Sequence, residues 1–343
     1  MRVLFVSYLA DPSSSGRQRL AALRALGHDA VVFPLDEYDA ESAVVRRLRL
    51  KLGGTFYRPA AVEAAGRALL SAVERVQPDL VWAEKPLSLT ATWIRRARDA
   101  HPAALFACFQ DDDPFGSRLA ERPVWRNFVG AIPEYDVHFV KKQANLAEFS
   151  EHGAKRVLLF MHGLHAPLFH PRAHPPAWAQ KQVVFVGAPL DHRVDQIERL
   201  LDLGLPLDIF GNSWRRHRVY WRHRNHFHGP IVAERYATLL AASKICLGFV
   251  SSSNRDEYSM RSFEIPGSGS LLLAERTPTH LGLFEEGKEA EFFDSVEECA
   301  SKCRFYLEHE EARKAVARAG YERCVRPSHS LESRMRQALA ELA

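Results

Sequence analysis

A short apolar run followed by a helix-length amphipathic segment recurs along this chain, and that alternation restricts the fold to parallel α/β sheets. Val3 to Ser7 is a β-rich run, Asp11-Pro-Ser-Ser-Ser-Gly16-Arg17 a loop, and Gln18 to Leu26 repeats apolar residues at helical spacing up to Gly27. Ala30 to Phe33 is the next strand, which completes one βαβ unit. The pattern continues with helix Ala60 to Val76, strand Leu80 to Ala83, helix Leu89 to Ala100, strand Leu105 to Phe109, helix Pro123 to Gly130, strand Val137 to Val140, helix Gln143 to His152 and strand Val157 to Phe160. A second alternation opens at Val183-Val-Phe-Val186. It runs through helix Val194 to Leu203, strand Leu207 to Phe210, helix Val232 to Ala242, strand Ile245 to Val250, helix Arg261 to Ile265 and strand Leu271 to Ala274.

Between the two lies Met161-His-Gly-Leu-His-Ala-Pro167-Leu-Phe-His-Pro171-Arg-Ala-His-Pro175-Pro176, Pro- and His-rich and without periodicity, which reads as a linker. The expected organisation is an N-terminal Rossmann-like domain over 1–165, a linker over 166–180, a second Rossmann-like domain over 181–326, and a C-terminal helix over 327–343 that could cross back to the first domain. At 343 residues, 46% hydrophobic and 26% charged, the chain can bury two cores of an ordinary globular kind. The fold class is therefore α/β, two doubly wound domains facing a cleft, with ligands at the carboxyl ends of the strands.

Five cysteines, Cys108, Cys246, Cys299, Cys303 and Cys324, form no disulfide or zinc pattern, which points to a reducing cytoplasm. The first apolar run is too short for a signal peptide, and no segment has the 18 apolar residues of a membrane span. A net charge of +4 suits an anionic small-molecule substrate and is too small to imply nucleic acid by itself.

The stretch Arg261-Ser-Phe-Glu264-Ile-Pro266-Gly267-Ser-Gly269-Ser-Leu271-Leu-Leu-Ala-Glu275 joins a carboxylate at a helix start to a glycine turn and an apolar strand. An acid there is favoured by the helix dipole, and free backbone N–H groups can hold an anion such as a diphosphate. Gly267 and Gly269 allow a tight turn or a close approach to a ligand.

With Phe185-Val-Gly187, Ile209-Phe-Gly211-Asn-Ser-Trp214, Ser243-Lys-Ile-Cys-Leu-Gly-Phe249, Glu275-Arg-Thr-Pro-Thr-His-Leu-Gly-Leu-Phe284-Glu-Glu-Gly287, Tyr306-Leu-Glu-His309 through Arg313 to Gly320, and more weakly Phe109-Gln-Asp-Asp-Asp-Pro, the chain resembles the GT-B glycosyltransferases. It is most similar in pattern to the CgeB-like, spore-maturation-protein branch of the group-1 transferases. The resemblance implies an enzyme moving a sugar from a nucleoside diphosphate donor to an acceptor hydroxyl, independent of metal and requiring no cofactor. It implies that Glu264 accepts hydrogen bonds from the ribose hydroxyls, and that Asp256, eight residues earlier, is the second acid bracketing the donor; Asp stands where the group commonly has Glu. Arg261 and Arg193 are placed to pair with the diphosphate, since a planar guanidinium makes two charge-assisted hydrogen bonds. Ser262 and Phe263 lie between Arg261 and Glu264 on the donor side, and Gly187 and Gly211 are turn glycines there.

On the acceptor side stand Gly16 and Arg17, after the first strand, and the triple acid Asp111-Asp112-Asp113 ahead of Pro114. A carboxylate within reach of the acceptor hydroxyl could take its proton, and neighbouring acids would raise the pKa of one of them. The same triplet could instead be an Asx-type cap or a metal cluster. His162 is the alternative base. The acceptor itself, glycan, protein or small molecule, and the oligomeric state are not specified by the sequence.

Two rival readings accompany this one. An enzyme of the same fold could epimerise or hydrolyse a nucleotide sugar without an acceptor. Residues 214–228, Trp-Arg-Arg-His-Arg-Val-Tyr-Trp-Arg-His-Arg-Asn-His-Phe-His, hold five arginines, four histidines and no acid, and could serve a non-catalytic module binding nucleic acid or another polyanion. Arg46-Arg-Leu-Arg-Leu-Lys51 could touch an acidic membrane surface or an anionic acceptor, or simply be a solvated helix face.

Overall fold

Six strands, β1 (Arg2–Ser7), β2 (Asp29–Pro34), β3 (Leu80–Glu84), β4 (Leu105–Gln110), β5 (Val137–Val140) and β6 (Val157–Leu159), form a sheet in the order β2-β1-β3-β4-β5-β6. Every pairing in it is parallel. A parallel sheet is covered on both faces, so its strands read as unbroken apolar runs; Val3, Leu4, Phe5 and Val6 are all buried. Helices Ser15–Ala25, Pro59–Val76, Ala91–Ala100, Arg122–Ala131 and Gln143–Glu151 supply the cover. Pro59–Val76 turns Ala61, Ala65, Leu69, Ala72, Val73 and Val76 inward, the i, i+3, i+4 spacing of an amphipathic helix. At Gly66 a Cβ would lie 2.1 Å from the Trp93 ring, so glycine is what lets this helix approach Ala91–Ala100 so closely.

A second sheet, β7 (Val183–Val186), β8 (Leu207–Phe210), β9 (Phe227–His228), β10 (Ile245–Gly248), β11 (Leu271–Glu275) and β12 (Glu291–Phe293), has the order β12-β11-β10-β7-β8-β9 and is again wholly parallel. Its core is built from Phe185, Ile197, Leu207, Ile209, Leu247, Phe249, Leu271 and Leu273. Chain connectivity reverses direction between β7 and β10, the place where an open α/β sheet leaves a crevice for ligand.

The computed structural model describes residues 1–12, 14–38, 41–117 and 122–342, with the side chain of Ala43 also outside the description. It divides into two units: residues 1–161 with the end of the last helix, Leu331–Ala340, from Arg334 onward, and residues 162–333. Residues 166–180, expected as a linker, lie inside the second unit. Arg172 pairs with Glu234, Phe169 meets Tyr236 edge-on, and Arg235 stacks over Trp178, so the proline-rich stretch wraps the helix Ala233–Ala242. Leu164 joins it by exchanging backbone hydrogen bonds with His329 and Leu331. The close approach expected of Gly267 is to Leu164, whose Cδ1 would stand 2.2 Å from a Cβ there. All five cysteines are free and buried. Among the described residues no helix is long and apolar enough to cross a membrane.

Candidate functional site

At the carboxyl end of β7 the backbone passes through Gly187, whose N–H donates to the Phe210 carbonyl at 2.9 Å. Gly211, just after β8, comes so near that a Cβ on it would lie 2.1 Å from the Gly187 carbonyl oxygen. The buried Trp214 indole fixes this contact by donating to the same oxygen at 2.8 Å. Gly211 is therefore required by backbone packing at the lip of the crevice, while a Cβ on Gly187 would lie 2.6 Å from the Phe185 ring.

The loop after β7 is tied across the switch point. Asp191, at φ +55, accepts from the hydroxyls of Ser251 (2.7 Å) and Ser253 (2.5 Å), which follow β10. Glu275, at the end of β11, accepts from His192, from Gln196 and from the Val250 N–H. One carboxylate at the end of β11 thus ties the start of the helix after β7 to the loop after β10.

Arg193 opens the helix Arg193–Asp202 and is buried, with Nη2 donating to the Phe249 carbonyl at 3.1 Å. Its Nε has no hydrogen-bond partner among the described residues, and neither has Nε of Arg261. Burial, then the nearby Arg261 charge, lower Arg193 to about 10, with Asp191, Glu275 and Asp256 opposing. Two guanidiniums that repel one another thus each keep one buried donor unused. Asp256 is at this same place, accepting from the Asn254 amide at 3.0 Å.

Glu264 is buried on the helix Arg261–Gly267 and accepts from the Tyr236 hydroxyl at 2.7 Å. Burial and the Glu264 charge hold the Tyr236 phenol well above its usual value, so it stays a donor and aims the carboxylate. Ser262 and Phe263, expected on the donor side, serve the fold instead. The Ser262 hydroxyl lies 2.8 Å from His280 Nε2, while His280 Nδ1 is 2.8 Å from the Glu275 carbonyl. A carbonyl only accepts, so Nδ1 carries the proton, Nε2 accepts from Ser262, and burial keeps the ring neutral by lowering its pKa. Phe263 is fully buried, edge-on to Tyr258.

In the first unit the triple acid is split by a lysine that the sequence reading did not single out. Lys85, after β3 at φ +46, places Nζ 2.8 Å from Asp111 and 2.6 Å from Asp112. Burial disfavours its charge, yet the two carboxylates raise its pKa overall. Asp113 is buried and accepts from the Phe115 N–H and the Asn145 amide, both at 3.0 Å. The i to i+2 bond is an Asx turn, the structural alternative for this triplet, and it removes Asp113 from the candidate bases. Asp112 keeps the most accessible carboxylate, 46% exposed against 12% for Asp111.

Gly16 packs against Glu84 and Ser7, where a Cβ would come within 2.6 Å of both side chains. Next to it Arg19 and Glu84 form a buried ion pair at 2.5 Å. Arg17 donates to the Leu9 carbonyl at 2.8 Å. His162, expected on the acceptor side, belongs to the second unit, buried with its N–H donating to the Tyr258 hydroxyl at 3.2 Å.

Part of the basic stretch 214–228 is paired with acids where it folds, one of its five arginines among them. Arg222 pairs with Glu198 and Asp202, His223 with Asp202, and His228 with Asp208. Trp214 and Phe227 are buried. Among the described residues no group of three or more His, Cys, Asp or Glu side chains could hold a metal ion.

Residues 192–340 match the model of a family described as glycosyl transferase-like. No curated protein matches the chain. Among solved structures, it is similar to sucrose-phosphate synthase from Thermosynechococcus elongatus, at 13% identity and TM-score 0.69, with 99% of this chain and 98% of that one covered. It is similar to Anabaena HepE in complex with UDP-glucose, at 13% identity and TM-score 0.69, over 100% and 99% of the two chains. It is also similar to α,α-trehalose 6-phosphate synthase from Burkholderia multivorans, at 12% identity and TM-score 0.62, over 99% and 97%. At these identities the likeness is one of fold, and the fold is GT-B.

Proposed function

We propose that this chain, a glycosyltransferase of GT-B fold, takes a uridine diphosphate hexose as donor in its second unit and passes the sugar to an acceptor hydroxyl. The observation that carries the proposal is the pair Arg193 and Arg261, two cations with unused buried donors at the β7/β10 switch point. A diphosphate supplies the missing negative charge and accepts from both forks. Glu264, oriented by Tyr236, accepts from the ribose hydroxyls. Asp256 sits beside the diphosphate pair, and Gly187 and Gly211 bring the ends of β7 and β8 together at the lip of that crevice. The choice of uridine is supported by HepE, whose structure holds UDP-glucose.

The negative charge that develops on the leaving diphosphate is met by groups already fixed in position, the arrangement that lowers a barrier most. For the acceptor, the first unit offers Asp112 beside Lys85. Its carboxylate takes the hydroxyl proton as the new glycosidic bond forms. The similarity to CgeB-like proteins and a cytoplasmic setting belong to the same proposal, the latter supported by five free thiols.

The test is calorimetric titration with UDP, GDP, dTDP, ADP and CDP, followed by product analysis with the matching glucose donor. Preference for UDP with transfer to an added acceptor upholds the reading. Binding of none of the five nucleotides ends it, and hydrolysis or epimerisation without transfer would move it to the rival chemistry.

A further inference from the structure

The helix Ala43–Lys51 is amphipathic in the reverse sense. Its inner side carries arginines: Arg46 stacks over the Phe56 ring at 4.7 Å, and Arg49 donates to Glu41 at 2.6 Å and to the Phe56 carbonyl at 2.6 Å. Glu41 also receives Arg46 at 3.5 Å. Outward stand Val44 (79% exposed), Val45 (53%), Leu48 (59%) and, one residue past the helix, Leu52 (79%). At 100° per residue these four fall within an arc of about 100°. Five of the fourteen large apolar side chains exposed among the described residues lie in the nine positions 44–52.

A surface helix of a water-facing domain turns such a stripe inward; here the fold spends its arginines on the inside and leaves the leucines out. Charge decides what covers them. Arg47 and Lys51 flank the stripe on one side, both exposed and with no ion pair among the described residues. From residue 42 to residue 62 there are five cations and no acid. A narrow apolar stripe edged by lysine and arginine is the form of a helix lying in a lipid headgroup layer.

We infer that Val44, Val45, Leu48 and Leu52 enter the surface of an anionic lipid bilayer, with Arg47 and Lys51 at its phosphates. The inference is independent of the donor site. It does not need a span, only the depth of one helix face. Each flanking cation contributes about fivefold to partition onto an anionic surface, and the apolar stripe supplies the remainder.

The experiment is sedimentation of the full chain with vesicles of phosphatidylcholine, with and without phosphatidylglycerol. Wild type should bind the anionic vesicles at least about tenfold more tightly than the neutral ones and lose binding as salt rises. Arg47→Glu with Lys51→Glu should remove that preference, and Leu48→Asp with Leu52→Asp should abolish binding at any salt. All these side chains are exposed, so unchanged thermal midpoints and unchanged UDP titrations will show that the variants are folded. The inference is overturned if wild type ignores anionic vesicles, or if the Leu48/Leu52 variant binds them equally. It is overturned as well if wild type is a dimer that the Leu48/Leu52 variant makes monomeric, which would give the stripe to a second copy of the chain.

Discussion

Arg193 and Arg261 repel one another across the switch point of the second sheet, and the charge on Arg261 adds to burial in bringing Arg193 to about 10. Replacing Arg261 by Met removes a like charge from a protein without ligand. The apo thermal midpoint should therefore hold or rise, while UDP affinity falls about thirtyfold for a lost charge-assisted bond of about 2 kcal/mol. Differential scanning fluorimetry with and without UDP reads both. A lowered apo midpoint with undiminished UDP affinity would make Arg261 a structural residue.

Tyr236 and Glu264 separate orientation from contact. Glu264→Ala removes the ribose acceptor and leaves the buried Tyr236 hydroxyl unsatisfied, a loss of about 1–3 kcal/mol in stability. UDP should bind at least about tenfold more weakly, whereas 2′,3′-dideoxy-UDP should bind wild type and variant alike, because it has no hydroxyls for the carboxylate to meet. Tyr236→Phe should produce a smaller loss for UDP only. Equal losses for both nucleotides in Glu264→Ala would remove the ribose assignment.

Strands buried on both faces were legible to the residue: Val137–Val140, Val183–Val186 and Leu207–Phe210 stand as the apolar runs indicate. The two-residue β9 and the three-residue β12, which begins with Glu291, carry no such run. The candidate site residues that sequence exposes are those on one continuous motif, Arg261 to Glu264. Their partners are not, because Tyr236 reaches Glu264 across 28 positions from another helix, and no sequence spacing links the two. Lys85 follows the same logic: it touches Asp112 across 27 positions, and only its place at a strand end before Pro86 hinted at it. Ser262 misled for the opposite reason, since adjacency to Glu264 put it in the motif while its hydroxyl serves His280.

Asp112→Asn keeps the size of the side chain and removes the base. With saturating donor, kcat should fall by about a hundredfold or more, the usual contribution of a positioned proton acceptor, while UDP affinity stays unchanged. Asp113→Asn should instead lower stability through its Asx turn and the Asn145 amide, with little effect on kcat in the folded fraction. Wild-type turnover in Asp112→Asn would rule out the carboxylate.

Gly211→Ala tests the lip of the crevice. A methyl 2.1 Å from the Gly187 carbonyl cannot be relieved by a rotamer, because the obstacle is backbone, and overpacking of this kind costs about 1–3 kcal/mol. The second unit should melt several degrees lower, with weaker UDP binding as the β7 and β8 loops part. Trp214→Phe, which loses the 2.8 Å bond to the same oxygen, should shift in the same direction. A Gly211→Ala protein of unchanged midpoint would refute the packing account.

His138 should make the first unit sensitive to acid. Its ring is fully buried on β5, Nε2 donates to the Ile132 carbonyl at 2.8 Å, and Nδ1 has no partner among the described residues. Burial lowers its pKa to about 4, against 6.5 for the unfolded chain. Between those values the unfolded state binds the proton and the folded state does not, so stability is complete above about pH 6.5 and falls as the pH drops toward 4. The loss from this one ring approaches about 3 kcal/mol. His138→Gln keeps an amide donor for Ile132 and cannot be protonated. Urea unfolding of the two proteins at about pH 7 and about pH 4.5 should therefore show a smaller acid loss in the variant, whatever its absolute stability. If both lose the same amount, the acid sensitivity lies in the carboxylates and not in this histidine.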